Sequence, residues 1–328
     1  MKIKYIIPAI AGFAALMTAC DENEQFEGEL YEKVIYVLSD NDYMFPYTHQ
    51  LGETTPGYLT IYCGGTEHIT EDVRVEVEPY QQVLDDYNYI NFDLDESRYA
   101  RLLDPSHYTI EDYSTVLKAD SPDYYSLIPI KVNPDGLSPD STYIIPLHIK
   151  SVNGCSVDSI NAQGKYVVNT KKDRVMYKVV LANEFATMER TTYYQMNGVE
   201  SLGFSSGEVA SGVSVTRVVA PLSKNKVRMF AGTHQYVPNN VSVEEINTYA
   251  ITVTFNEDQT VSIEPYGNIE VEMIDDPESN NWEYNEKGWL VLNMSYRFKD
   301  TVTFNGVTET CWVTMTETNT LKPEQLAK

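Results

Sequence analysis

Positive charge is scarce in this chain: 24 Lys and Arg stand against 48 Asp and Glu, for a net charge of −24. So acidic a surface repels phosphates, and the few cations gather in no stripe, which excludes nucleic acid as a partner. Cysteine is scarce too. Beyond Cys20 only Cys63, Cys155 and Cys311 remain; an odd, widely spaced set supports no disulfide framework and has no C-x-x-C pair for zinc. Buried free thiols are the expectation, with a single disulfide as the alternative. Long apolar runs are missing as well. The stretch IIPAIAGFAALM near the start is shorter than the ~20 residues a spanning helix needs, and it contains Pro8 and Gly12.

That short run has another reading. Lys2 and Lys4 precede it, and Met17-Thr18-Ala19-Cys20 ends it with small residues and a thiol. A basic start, a short apolar core and a small-residue cut site describe a secretory signal over residues 1–19. The four residues resemble a lipobox, which implies cleavage before Cys20 and lipidation of its thiol. Several acyl chains hold a protein to a membrane without spanning it. Residues 20–30 then form an acidic tether with Asp21, Glu22, Glu24, Glu27 and Glu29. It resembles the signal behind the lipidated Cys in surface-exposed lipoproteins of the Bacteroidetes. The expected location is the outer membrane, lipid-anchored and facing the cell exterior, with the inward-facing leaflet as the alternative. Removing residues 1–19 takes away two lysines and no acid, so the mature charge moves from −24 to −26.

The remaining length suggests two domains, and the patterning is almost wholly β. VIYVL (34–38), YLTIY (58–62) and DVRVEVE (72–78) are short β-branched and aromatic runs; in the last, Val73, Val75 and Val77 alternate with charged residues. SLIPIKV (126–132) and TYIIPLHIKSV (142–152) follow around the turn-rich NPDGLSPD. Pro129 and Pro146 lack an N–H, which places their strands at edges or bulges. QQVLDDYNY and ESRYARLL have a weak helical flavour. The hydrophilic 171–174 reads as a linker between a first domain over 31–170 and a second over 175–328. In the second, VMYKVVLA (175–182), TTYYQM (191–196), GVSVTRVVA (212–220), GWLVLNMSYRF (288–298) and CWVTMTE (311–317) are strand candidates. VTFNEDQTVSIEP forms the clearest hairpin, turning at 256–259. The expected fold class is all-β: an immunoglobulin-like β-sandwich followed by a second antiparallel domain, sandwich or barrel.

DVRVEVE, the Tyr87-Asn88 pair, LLDPSHYTI and LSPDSTYIIPLHIKSV, in that order, resemble the N-terminal domain of unknown function 1735, found in lipoproteins of gut Bacteroidetes. The likeness covers roughly residues 28–170 and implies an immunoglobulin-like sandwich. ITVTFNEDQTVSIEPYG, a loop with Trp282 and Tyr284, and LVLNMSYRF resemble domain of unknown function 4361, although Glu317 stands where that family usually carries a basic residue.

Catalytic signatures are thin. Gly203-Phe204-Ser205-Ser206-Gly207 matches G-x-S-x-G, but a nucleophile elbow needs a helix after the serine. EVASGVSVTRVV follows instead, and His234 is the only histidine downstream. His49, His68, His107, His148 and His234 form no H-x-x-x-H pair. Asp40-Asn41-Asp42 and Asp93, Asp95 lack the glycine and terminal glutamate of a calcium loop. No metal, no cofactor and no enzyme activity are expected. Among 48 acids some pair will meet the spacing of a glycosidase by accident, so a cryptic glycosidase stays only as a remote alternative.

Aromatic content is what stands out: 25 Tyr against 3 Trp. Sugar C–H faces pack on aromatic rings while amides and carboxylates meet hydroxyls, so a glycan site needs both kinds together. DDPESNNWEYNEKGW supplies them, with Trp282 and Tyr284 among Asn280, Asn281, Glu283 and Asn285. A second cluster holds Tyr80, Tyr87 and Tyr89. Trp289, at a strand start, is expected in the core. The resulting expectation is a non-enzymatic surface lipoprotein that binds extracellular glycan in a polysaccharide-uptake system, alongside a transporter complex. The competing reading is an adhesive or structural lipoprotein that binds another protein through an exposed apolar patch.

Overall fold

The computed structural model describes residues 32–238, 240–275 and 279–326. Cys20 and the acidic tether lie outside the described residues. The protein is all-β, as its patterning implies. The first domain contains β1 (Val34–Val37), β2 (Met44–Gln50), β3 (Thr55–Gly64), β4 (Val73–Pro79), β5 (Arg101–Leu102), β6 (Tyr108–Thr109), β7 (Ser114–Leu117), β8 (Tyr125–Val132), β9 (Tyr143–Val152), β10 (Cys155–Ser156), β11 (Val167–Val168) and β12 (Arg174–Ala182). One sheet runs β11-β1-β3-β8-β6 and the other β2-β12-β9-β4-β7. Their inner faces share one core: Ile35, Leu59, Ile61 and Ile128 from the first sheet meet Val75, Leu147, Val175 and Tyr177 from the second. This is the immunoglobulin-like sandwich, and strands such as β3, β4 and β8 alternate buried with more exposed residues because side chains alternate across a pleat. Helix α1 (Gln82–Phe92) fills the stretch of weak helical pattern, with Val83, Leu84 and Asn88 turned inward. A second short helix, α2, covers Val157–Gln163.

The domain boundary differs from the sequence expectation. VMYKVVLA, read as the opening strand of the second domain, is β12, hydrogen-bonded between β2 and β9 in the first sandwich. Residues 171–174 form no interdomain linker; Lys172 N–H bonds to the Asn169 carbonyl in a tight turn that leads into β12. A strand buried on both faces reads as a continuous apolar run, and such a run does not say which sheet it enters. The chain crosses to the second domain after Ala182. Pro146 also departs from its expected edge position, since β9 is central. Its carbonyl accepts from Tyr80 N–H, so its missing donor faces the end of β4, where the ladder has already stopped.

The second domain is a nearly closed antiparallel barrel. Its strands are β13 (Thr192–Phe204), β14 (Gly207–Ser223), β15 (Lys226–Phe230), β16 (Ala250–Phe255), β17 (Val261–Pro265), β18 (Val271–Met273), β19 (Asn281–Tyr284), β20 (Leu290–Phe304) and β21 (Val307–Leu321), with helix α3 (Val243–Tyr249) before β16. The order is β17-β16-β15-β14-β13-β21-β20-β18, and β19 pairs with β20. Closure comes where Val261 N–H reaches the Asn280 carbonyl and Trp282 N–H reaches that of Gln259. The hairpin expected at 256–259 is β16–β17. The G-x-S-x-G segment is the turn joining β13 to β14, where Ser205 bonds Glu309. Cys63 and Cys311 are buried, and Cys155 is partly so.

One buried ion pair ties the domains together. Arg228 of β15, 2% exposed, lies between the rings of Tyr236 and Tyr266 and presents its guanidinium as a fork to Asp140, on the turn before β9. Burial works against the charge on Arg228, but Asp140 more than offsets it, and its pKa ends above the usual arginine value. An Asp140→Ala variant strands this cation. It is expected to cost about 2–3 kcal/mol, less than a fully buried pair because Asp140 is partly exposed. Calorimetry should show unfolding of the variant beginning at lower temperature than that of the parent protein.

Candidate functional site

Four long strands, β14, β13, β21 and β20, give the barrel two chemically different faces. Most inward-pointing residues are apolar: Tyr194 and Met196 on β13, Met294, Tyr296 and Phe298 on β20, Val313 and Met315 on β21. The outward residues alternate with these and are rich in hydroxyls and amides. TCWVTMTETNT shows the pattern in one strand, with Thr314, Thr316, Thr318 and Thr320 facing out.

The register aligns these residues in rows across the sheet. Asn281, Asn293, Thr318, Asn197 and Ser214 form one row over five strands. Beside it run Glu283, Val291, Thr320, Gln195 and Thr216. Hydrogen bonds pass along both. Ser214 Oγ donates to Asn197 Oδ1 at 2.8 Å, Thr318 Oγ1 to Asn293 Oδ1 at 2.8 Å, and Asn293 Nδ2 to Asn281 Oδ1 at 2.9 Å. Gln195 bonds to Ser214 and Thr216 at 3.3 Å each. The amides are held in place by neighbours that are themselves polar, which is the rigidity a recognition surface requires.

A tryptophan marks each end. Trp312 sits in the row Lys299, Trp312, Gly203, Glu208. The guanidinium of Arg297 and the ammonium of Lys299 approach its ring at 4.6 and 5.4 Å. On the β13 side its neighbour is Gly203, which has no side chain to cover the ring. At the other end Trp289 enters β20 with its N–H bonded to Asn285 Oδ1 and its ring near Lys287 and Lys322, at 5.1 and 5.0 Å. Trp289 was expected in the core and instead keeps the outward parity of Val291 and Asn293. Tyr193, 43% exposed, shares that end.

Strand parity separates the six residues that the sequence brought together. Asn281 and Glu283 face outward on β19. Trp282, one position along, turns to the barrel interior, while Tyr284, of the same parity, stays 48% exposed at the end of the strand. The Trp282 indole N–H donates to the Asn256 carbonyl at 3.0 Å, and its ring meets Phe185 and Phe255 edge-on at 5.5 and 5.8 Å. Tyr284 donates to Glu184 at 2.7 Å; burial, then that carboxylate, raises the phenol pKa above its usual value. Asn280 is buried, accepts from Ser295 N–H and donates to the Ile274 carbonyl, which ties both residues to β20. Asn285 caps the turn into Trp289. In the second aromatic cluster Tyr80 is engaged, stacking on His148 at 4.3 Å near Arg174, while Tyr89 is exposed.

The interior below the face holds a fully buried ion pair. Arg217 of β14 reaches Glu317 of β21 at 2.5 and 3.0 Å, with side chains 2% and 0% exposed. Gly198 lies between them on β13, where a Cβ would come 2.4 Å from the Thr316 carbonyl oxygen. Burial opposes the Arg217 charge, but Glu317 and Tyr296 reverse the balance, and its pKa rises above the normal arginine value. Arg217 also donates to the Gly232 carbonyl, and Tyr296 accepts from Gly232 N–H. His234 bonds Asp300 at 2.8 Å and Glu200 accepts from Thr233, so both carboxylates hold the same loop onto the barrel. Glu317 is the counter-ion that Arg217 requires. Among the described residues no group of three or more His, Cys, Asp or Glu could hold a metal.

A family model for an N-terminal domain matches residues 31–155, and a family model for a C-terminal domain matches residues 173–320. No protein of curated function matches this chain. Among solved structures, a Bacteroides ovatus protein of unknown function is 15% identical with a TM-score of 0.60, covering 88% of this chain and 94% of its own. A B. ovatus multidomain protein that includes domain of unknown function 1735 is 15% identical, with a TM-score of 0.57 over 87% of this chain and 94% of its own. An auxiliary nutrient-binding protein from Bacteroides thetaiotaomicron is 14% identical, with a TM-score of 0.51 over 87% and 94%. At these identities the likeness shows a shared fold.

Proposed function

We propose that this chain, which carries both matched domains, is a non-enzymatic lipoprotein that captures extracellular glycan at the outer face of its barrel. Cys20 is its anchor and the outer membrane, exterior side, its location; the sandwich lifts the barrel away from the bilayer. The observation that carries the reading is the row Asn281-Asn293-Thr318-Asn197-Ser214 with Trp289 and Trp312 at either end. Amides and hydroxyls replace the hydrogen bonds that sugar hydroxyls make with water, and indole rings receive the C–H faces. The nutrient-binding relative from B. thetaiotaomicron, which shares the two-domain fold, supports the same direction.

The test is a polysaccharide array probed with the chain from residue 21 onward, beside Trp312→Ala. A signal on one glycan class, reduced about tenfold in the variant, is the expected result. Silence from the folded protein would move the reading to its alternative, a protein-binding lipoprotein. One feature favours that second reading: Tyr89, Ile90 and Leu94, at and beyond the end of α1, are 64%, 78% and 82% exposed.

A further inference from the structure

Two properties of the outer face are not needed for capture in general and restrict what can be captured. The first is length. From Trp289 to Lys299, the strand partner of Trp312, β20 advances about ten residues, ~33 Å at ~3.3 Å per residue, the span of about six linked hexoses. The second is charge. Of the four outward rows between the tryptophans, the one nearest Trp312 is Arg297-Thr314-Ser201-Ala210, and the other three carry only Asn, Gln, Ser, Thr, Gly and Val on the four long strands. They are Val291-Thr320-Gln195-Thr216, Asn293-Thr318-Asn197-Ser214 and Ser295-Thr316-Val199-Gly212. The cations near Trp312 are already taken: Arg297 by Glu272 at 2.6 Å and Lys299 by Glu270 at 2.7 Å. An anionic sugar would find no uncommitted positive group along these three rows; the cations Lys287 and Lys322 stand only at the Trp289 end, and the net charge of −24 would repel an anionic chain as a whole.

We propose, resting on the capture reading, that the ligand is an uncharged, ribbon-like polysaccharide lying along β20 and β21, with one sugar against Trp289 and another against Trp312. A coiled chain turns away from the surface within a few units and cannot meet both rings; an extended β-1,4-linked chain can. Between the rings each sugar lies over one of the polar rows.

Titration calorimetry on the full chain in a non-glycosidic detergent tests this. The probes are β-1,4-linked gluco-, manno- and xylo-oligosaccharides of two, four and six units, with a hyaluronan hexasaccharide as the anionic comparison. In at least one neutral series the six-unit chain should bind at least tenfold tighter than the two-unit chain, and the anionic hexasaccharide at least tenfold weaker. Trp289→Ala should erase the length advantage. If short and long chains bind alike, or the anionic chain binds best, this inference falls while glycan capture stands. If no glycan binds to the folded protein, both fall.

Discussion

An Arg217→Met variant is expected to lose about 3–5 kcal/mol of barrel stability, because it leaves Glu317 charged and alone in an apolar interior. The pair is buried on both sides, 2% and 0% exposed, and Glu317 is bonded to Asn319 at 3.0 Å and to Tyr296 at 3.4 Å, so the loss spreads through a network. For a domain of this size each kcal/mol moves the melting point by about 2–4 °C, which puts the shift near 10 °C. All three tryptophans lie in the barrel, so their fluorescence during urea unfolding reports this domain alone. Replacing both partners, Arg217→Met with Glu317→Leu, should recover much of the loss, since no charge is then stranded. A single-variant loss below about 1 kcal/mol would contradict the account, as would a double variant no better than the single.

The second large effect is on binding. Trp289→Ala together with Trp312→Ala should weaken glycan binding about a hundredfold, roughly tenfold for each ring, while the melting point stays within a few degrees. Both rings lie on the outside, and neither belongs to the barrel core. Trp282→Ala supplies the opposite pattern. That indole packs on the core and bonds Asn256, so its removal should cost about 3–5 kcal/mol of stability. A titration and a melting curve for each variant separate the two roles. Binding lost with Trp282→Ala in a protein that remains folded, and kept in the Trp289/Trp312 double variant, would reverse the assignment.

Much of the fold was legible because period-two patterning is a local property. DVRVEVE, CWVTMTE and the hairpin around Asn256 each state their own strand and their own inward side. What the local pattern does not contain is partnership. VMYKVVLA announces a central strand, yet its neighbours β2 and β9 are what place it in the first sandwich. Glu317 looks like a surface acid until Arg217, a hundred positions away, is seen to face it. Asn280 to Asn285 were grouped as one glycan loop from composition. They are partly a strand, and a strand sends alternate residues to opposite faces, so Asn281 and Glu283 part from Trp282 and Tyr284. Trp312 was passed over for the same reason. The outward threonines of β21 are visible in the sequence, but the row that sets Trp312 between Gly203 and Lys299 is not.

The most direct test of the central claim is hydroxyl-radical footprinting with mass spectrometry, performed with and without the glycan that the array identifies. Oxidation of Trp289 and Trp312 should fall on binding, while Trp282 and the exposed Tyr89 stay unchanged. Protection that appears around α1 instead, or that spares both outer tryptophans while the glycan is bound, would contradict the claim that the barrel's outer face is the capture surface.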